Sequence, residues 1–407
     1  MSLNKVIWIG IPIFLLIFFS IYDGVKNDAN VLSGNKYGFW AVSNQEDQNL
    51  YVRSQMMICY HNGLDDCYKD VADLFVNQFG YEAILGYFKD NEQFPEIFSR
   101  CHEVTHFIGR RAYEINSSVP DLYAHGNSAC WGGFYHGVIE GYFGSKNLNP
   151  NNSGDPRIAK EIINVCGKES DYTSPRFYSE CVHGVGHAMM FITKADLPLS
   201  LSWCDKLNTL SDRVTCYGGV FMENSSSSTS IDHPSKYIKK DDSFYPCDSL
   251  GEKYLDTCYQ YQSSYFAKLV NYNWSENAKI CSEVPKSYQA GCFTVIGSNQ
   301  VGSTQDILSM SKVCKAMPTA SSKRQCVSGV ISGLGGRYVL NTDKMVEFCN
   351  VVSSELSDIC WISFGSAIRG WYPNISSAEN LCKLKDTKKS FLCLSGLKGG
   401  AFQIINK

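Results

Sequence analysis

The chain has 407 residues, 44% hydrophobic and 19% charged, with a formal net charge of −3. That composition belongs to a folded protein of two or three ordinary domains, or to one long repeat array, and excludes a disordered chain. So small a net charge gives no electrostatic reason to expect nucleic acid as a partner.

The first element is an uncharged apolar run, Val6–Tyr22, reading "VIWIGIPIFLLIFFSIY". It is at the short end for a membrane span, too long for a typical signal-peptide core, and followed by no small-x-small cleavage site. Lys5 before it favours a cytoplasmic N-terminus. We therefore expect a cytoplasmic segment at 1–5, a single-pass signal anchor at 6–22 and a polar stalk at 23–50. The rest then lies outside the cytoplasm at the cell membrane; a cleaved signal peptide is the alternative. The 18 cysteines, none before Cys59, agree with an oxidising compartment. Five sequons (Asn116, Asn151, Asn224, Asn273 and Asn374) are compatible with export.

From Cys166 onward the cysteines come in pairs: Cys166/Cys181, Cys204/Cys216, Cys247/Cys258, Cys281/Cys292, Cys314/Cys326, Cys349/Cys360 and Cys382/Cys393. The step within a pair is 11 or 12 residues, or 15 in the first, and from Cys247 the first members recur every 33 to 35 residues. A fixed period in that range signals an array of helical hairpins. "SENAKICSEVPKSYQAGCFTVIGSNQ" reads as a helix ending near Cys281, a turn at Pro285 and a second helix carrying Cys292. "DKMVEFCNVVSSELSDICWISFGSAIRG" repeats the plan around Cys349 and Cys360. A small residue often lies three after the second cysteine, as at Gly133, Gly184, Gly219, Gly329, Ser363 and Gly396. Glycine there costs helix propensity, so close approach of a paired helix is expected in return. A disulfide from the end of one helix to the start of the next would staple each hairpin, contributing about 2–3 kcal/mol in the loop-entropy model. Nearer the N-terminus, Cys59/Cys67 is a plausible short pair, which leaves Cys101 and Cys130 for each other.

This pattern resembles tetratricopeptide-like repeats, and more closely the cysteine-rich helical-hairpin solenoids with one disulfide per repeat. The resemblance covers roughly residues 160–400 and rests on period and cysteine placement. It implies an all-α solenoid and no particular function. We expect histidine-rich helical repeats at 51–225, a polar insertion at 226–245 ("SSSSTSIDHPSKYIKKDDS" at its heart) and regular cysteine-paired hairpins at 246–407.

Five of the eight histidines fall in three stretches that each follow a cysteine. They are "CHEVTHFIG" with His102 and His106, "CWGGFYHGVIEGYF" with His136 and Glu140, and "CVHGVGHAMM" with His183 and His187. Each pair is spaced i, i+4, which presents two ligands on one helix face. Counted from the cysteine, His136, His187 and Met222 all fall at about 240°, whereas His102 and His106 fall at about 100° and 140°. In a solenoid, equal phases line one face, so His136, Glu140, His183, His187 and second-tier Met222 and Glu223 are expected around one groove. The competing reading is a polar ladder between helices; for His61, His125 and His233 an ordinary hydrogen-bonded role is expected.

"HEVTH" resembles the zincin metallopeptidase motif, over six residues only. The resemblance implies that His102 and His106 bind zinc and that Glu103 activates the metal-bound water. Nothing downstream completes a zincin spacing. Zinc is the leading ion, with copper favoured by thioethers beside imidazoles and iron by a dinuclear carboxylate–histidine centre. "GLGG" at Gly333–Gly336 lacks the strand-to-helix context of a phosphate loop. The expectation is a membrane-anchored, extracytoplasmic metal-binding repeat protein; if an enzyme, it is a metal-dependent hydrolase or oxidoreductase. The alternatives are a non-enzymatic solenoid binding protein, peptide or glycan, and a copper or zinc storage or delivery protein.

Overall fold

The computed structural model describes residues 45–399 apart from 63–64, 93, 99, 147, 149–154, 227–234, 339–340 and 373. The expected anchor at 6–22, and the stalk as far as residue 44, lie outside these residues. Residues 45–50, expected as the end of the stalk, are instead helical. Among the described residues no helix is long and apolar enough to cross a membrane. The chain forms two compact units divided between residues 64 and 65. Of the first, the described part is helix α1 (Gln45–Asn62).

The second unit is all-helical, with no strand among the described residues. In chain order its helices are α2 (Asp65–Phe79), α3 (Tyr81–Asn91), α4 (Pro95–Phe98), α5 (Cys101–Ile115), α6 (Val119–His125), α7 (Gly133–Gly144), α8 (Pro156–Asn164), α9 (Pro175–Ile192), α10 (Leu197–Cys204) and α11 (Leu210–Ser226). They continue with α12 (Glu252–Leu269), α13 (Trp274–Glu283), α14 (Gln289–Ser303), α15 (Ile307–Lys315), α16 (Ala320–Arg337), α17 (Asp343–Val351), α18 (Ser354–Arg369), α19 (Ile375–Glu379) and α20 (Thr387–Leu397). Side-chain caps start the short members. Asp155, Asp196, Asn273, Asp306, Asn374 and Asp386 each accept a backbone N–H from the first turn of the helix that follows. Two of the five sequons are thus spent on capping, and Asn224 is buried, so the sequons do not mark an evenly exposed surface.

The helices form two ranks. The inner rank is α5, α7, α9, α11, α12, α14, α16, α18 and α20, each packed on the next; the shorter helices lie outside it. Eight disulfides link Cys101–Cys130, Cys166–Cys181, Cys204–Cys216, Cys247–Cys258, Cys281–Cys292, Cys314–Cys326, Cys349–Cys360 and Cys382–Cys393, with Cα–Cα separations of 5.3 to 5.8 Å. Cys59 and Cys67 are also disulfide-bonded. From Cys166 on, each bond ties an outer segment to the start of an inner helix. Cys101–Cys130 departs from that plan by tying the starts of two inner helices together.

Four of the eight inner interfaces are closed by reciprocal glycines. A Cβ on Gly137 would lie 2.0 Å from the His106 carbonyl, and one on Gly109 would lie 2.2 Å from the Phe134 carbonyl. The same exchange recurs at Gly186/Gly219, Gly297/Gly329 and Gly365/Gly396. The small residues three after the cysteines at Gly133, Gly219, Gly329 and Gly396 are therefore backbone contact points between helices. Gly336, in the "GLGG" stretch, lies within α16 with open space around it.

The array curls until its early and late helices meet. The Arg176 N–H donates to the Gly370 carbonyl at 2.9 Å, and Phe177 packs edge-on against Trp371. Arg337 pairs with Glu92 at 2.6 Å, and Gly302 leaves room for the indole of Trp131. The polar segment before α12 is not a free loop in its described part: Gln262 donates to the carbonyls of Ser243 and Tyr245, and Tyr265 to that of Lys239.

The packing predicts opposite outcomes for two glycines of α16. Gly329→Val would force a Cβ to 1.8 Å from the Thr294 carbonyl and should cost about 3 kcal/mol or more. Gly336→Ala should be neutral or stabilise by up to about 1 kcal/mol. Urea unfolding of the two variants checks this, and equal effects would refute the close-contact account.

Candidate metal centre

The site is assembled from four inner helices. On α5, His102 and His106 stand one turn apart, and their Nε2 atoms approach to 3.1 Å. On α9, His183 and His187 repeat the arrangement with Nε2 atoms 3.3 Å apart. His136 of α7 lies between the pairs, stacked on His187 with ring centroids 4.1 Å apart and tilted against His102, His106 and His183. Helix α11 contributes Met222 and Glu223.

The outer nitrogens fix the tautomers. His102 Nδ1 donates to the Cys130 carbonyl at 2.8 Å, and His106 Nδ1 to Glu140 Oε1 at 2.8 Å. His187 Nδ1 lies 2.8 Å from Glu223 Oε2, and His183 bonds the Thr215 backbone. Neutral imidazole carries one N–H, so a proton committed to the outer side leaves the other nitrogen with a lone pair. The Nε2 lone pairs of each pair then face one another across about 3 Å. Facing lone pairs are repulsive, so each gap holds either a proton, as an N–H···N hydrogen bond, or a cation. Two nitrogens on one tetrahedral ion, each at about 2.0–2.1 Å, stand about 3.3–3.4 Å apart, which the α9 gap matches and the α5 gap approaches.

The Cys130 carbonyl is delivered by an unusual turn. Cys130, Trp131 and Gly132 all have positive φ (56°, 62° and 74°), which for the first two costs of order 1–3 kcal/mol each. The turn is held by the disulfide to Cys101 and by Glu92, whose Oε1 accepts the Cys130 N–H at 2.9 Å. It also shows that a phase counted from Cys130 is not a helical one, because α7 begins only at Gly133. Cys101, the first residue of α5 and bonded to that turn, is likewise not in register with Cys181 inside α9, so phases counted from the cysteines are not comparable, and all five imidazoles meet.

Burial governs the electrostatics. It pulls His102 and His187 well below the usual imidazole value and His183 down to about 3, with neighbouring imidazoles adding to the effect. His136 is lowered as well. For His106, burial is outweighed by Glu140 and the value is raised. Burial raises Glu140, but His106 and Arg110 bring it down to about 2. Burial pushes Glu223 up to about 7 and Lys268 down to about 8. Glu180, desolvated but paired with Arg176 and standing near His136, is held below its ordinary range.

His136 is the exception in this network. It is 1% exposed, and neither ring nitrogen has a hydrogen-bond partner. Its nearest acid, Glu180, stands 3.7 Å from Nε2, beyond hydrogen-bond reach. A buried imidazole with two idle nitrogens costs about 1–3 kcal/mol for each unsatisfied group, a cost that ligation would remove. His136, His183, Glu180 and Met222 also line a partly open cavity of about 390 Å³ inside the curl of the array.

Some expectations change. Glu140 and Glu223, expected near or on the ion, instead buttress His106 and His187 from outside. Glu103, expected as a general base by resemblance, pairs with Arg100 at 2.7 Å and is not among the groups that converge. Met222 Sδ lies 3.3 Å from His183 Nε2, as a neighbour on that side requires. His125 is exposed and bonds the Asp121 carbonyl, and His61 is exposed on α1; His233 lies outside the described residues. The sequence reading passed over Glu180, Arg110 and Arg176. Glu180 was findable, three residues before His183 on the same helix face; the arginines carry no such signal.

No protein-family model, no curated protein and no solved structure matches the chain.

The cluster makes the chelator-treated protein acid-sensitive. His102, His136, His183 and His187 have folded values lowered from about 6.5, so their stabilisation is complete above that pH and is lost on acidification toward about 3. Glu223 and His106 are raised, so their contribution runs the other way, fading as pH rises, but two groups oppose four. The Tm should fall by about 5 °C or more between pH 7.5 and 5. A flat profile would contradict neutral burial of the cluster.

Proposed function

We propose that this is a membrane-anchored, extracytoplasmic metal-binding helical-repeat protein whose five histidines hold a transition metal beside a partly open cavity. The observation that carries the reading is the buried His136 with two idle nitrogens, set among four imidazoles whose Nε2 lone pairs converge. The outer shell supports it: carboxylates or backbone oxygens on the far nitrogen are the usual means by which proteins orient metal-binding histidines. A proton offers a competing way to fill the His102–His106 gap, since His106 is raised. At the His183–His187 gap, where both rings are lowered, a neutral N–H···N bond is the competing arrangement, with Glu223, raised to about 7, donating its own proton to His187 Nδ1. Neutral imidazoles suit zinc first, with copper and iron as the other candidates.

The bound ion would supply Lewis acidity or redox chemistry, and the chain's own groups orient the rings and exclude bulk water. The cavity beside His136 and His183 favours a metal-dependent hydrolase or oxidase over a closed structural site. A non-enzymatic binding solenoid is the second reading, supported by the histidine-free helices α12 to α20, which furnish mainly Ser, Thr, Gln and Asn to the cavity wall, with Tyr261 beside His183.

Protein made in an oxidising compartment without a histidine tag should carry at least one transition-metal ion per chain by elemental analysis. Glu140→Ala should weaken that affinity about 10–100-fold by freeing the His106 ring. Protein that holds no metal and takes up none on titration would overturn the proposal.

A further inference from the structure

Resting on the metal-centre reading, we propose that the centre holds two metal ions, one on each histidine pair, with His136 shared between them. The ligand atoms gather as two triads and not as one group of five. His102, His106 and His136 come within 4.8 Å of one another, and so do His136, His183 and His187. The two pairs are built alike. Each is an i, i+4 pair on one helix, with a carboxylate of the next inner helix, Glu140 or Glu223, behind its second member. Each has an Nε2–Nε2 gap suited to one ion, and the His102 and His187 ring centroids stand 6.4 Å apart across the site. A single ion at one gap leaves the other gap to a proton in a buried place. Two ions satisfy both and, with His136 deprotonated to imidazolate and its N–H proton released to solvent, give both of its nitrogens a partner. That explains why this ring alone has neither nitrogen committed to the protein.

The two positions differ in access. His183, His136 and Met222 line the cavity, whereas His102 and His106 do not. The α5 ion is thus enclosed and orients the site, while the α9 ion faces the cavity with an open coordination position. Met222 Sδ, 3.3 Å from His183 Nε2, is placed to add a soft donor there. Enclosed and open positions are the structural and reactive classes of metal site, and paired ions that share a ligand act together on one substrate.

The test is metal stoichiometry on the full chain. Zinc(II) titration followed by elemental analysis should saturate at two ions per chain. His102→Gln/His106→Gln should retain one ion, as should His183→Gln/His187→Gln. Copper(II)-loaded wild type should give less electron paramagnetic resonance intensity than its copper content, because shared ligation couples the two spins. That reading on the wild type stands even where a double variant does not fold. Saturation at one ion with full copper intensity would overturn the two-ion centre and leave the single-ion reading intact. No binding at all would overturn both.

Discussion

The contact on which the rest depends is between two backbones. At Gly137 the α7 main chain lies directly against the carbonyl of His106, and at Gly219 the α11 main chain lies against the carbonyl of His183. No side chain fits in either place. Because the helix axes are that close, an acid one turn beyond the glycine reaches across to a histidine of the neighbouring helix: Glu140 to His106 and Glu223 to His187. The placement of these carboxylates behind the histidines thus follows from helix packing. The same reciprocal glycines close the α14/α16 and α18/α20 interfaces, where no histidine occurs. The packing scheme is complete without the chemistry, so the chemistry is a local addition to a repeated frame.

Burying five imidazoles with three acids is expensive, and the surroundings show how the cost is contained. Arg110 lies 3.6 Å from Glu140, its guanidinium packed over Phe107 and Phe191. Arg176 pairs with Glu180, and Lys268 stands near Glu223. Each carboxylate therefore has a nearby cation, and what the cluster presents beyond these pairs is imidazole nitrogen, a donor that suits transition metals better than hard ions. Disulfides at both ends of the cluster, Cys101–Cys130 and Cys166–Cys181, restrain helices that this polar interior would otherwise loosen.

Much of this was legible in the sequence, for physical reasons. The 33 to 35 residue period and the paired cysteines are repeated signals, each instance correcting noise in the last, and they foretold the hairpins and their staples. The i, i+4 histidines were visible because helical spacing is local. What could not be read was the register between helices. Cys101 stands first in α5 and is bonded to the turn before α7, whereas Cys181 and Cys216 lie well inside α9 and α11, so counting from the cysteine placed His102 and His106 off the common face. That Glu140 reaches the outer nitrogen of His106 was equally hidden, because it depends on a fraction of a turn between helices. Glu103 was a hazard of a short motif, since resemblance over six residues carries no information about what faces residue 103.

The curl of the array explains why a chain with chemistry in its first half needs its second. On their own, α5 to α11 would leave His136 and His183 at an open face, where water would compete for every nitrogen. Contacts of Arg176 with Gly370, of Glu92 with Arg337 and of Trp131 with Gly302 bring α14, α16 and α18 opposite the site. Ser298, Asn299 and Ser332 then face His136 and His183 across the same cavity. Glu92 has a part in both halves of this arrangement. One of its oxygens holds the turn that aims the Cys130 carbonyl at His102, and the other pairs with the arginine that closes the curl. One carboxylate thereby couples the geometry of a ligand to the enclosure of the site, so the second half of the array bears on the chemistry of the first through structure alone.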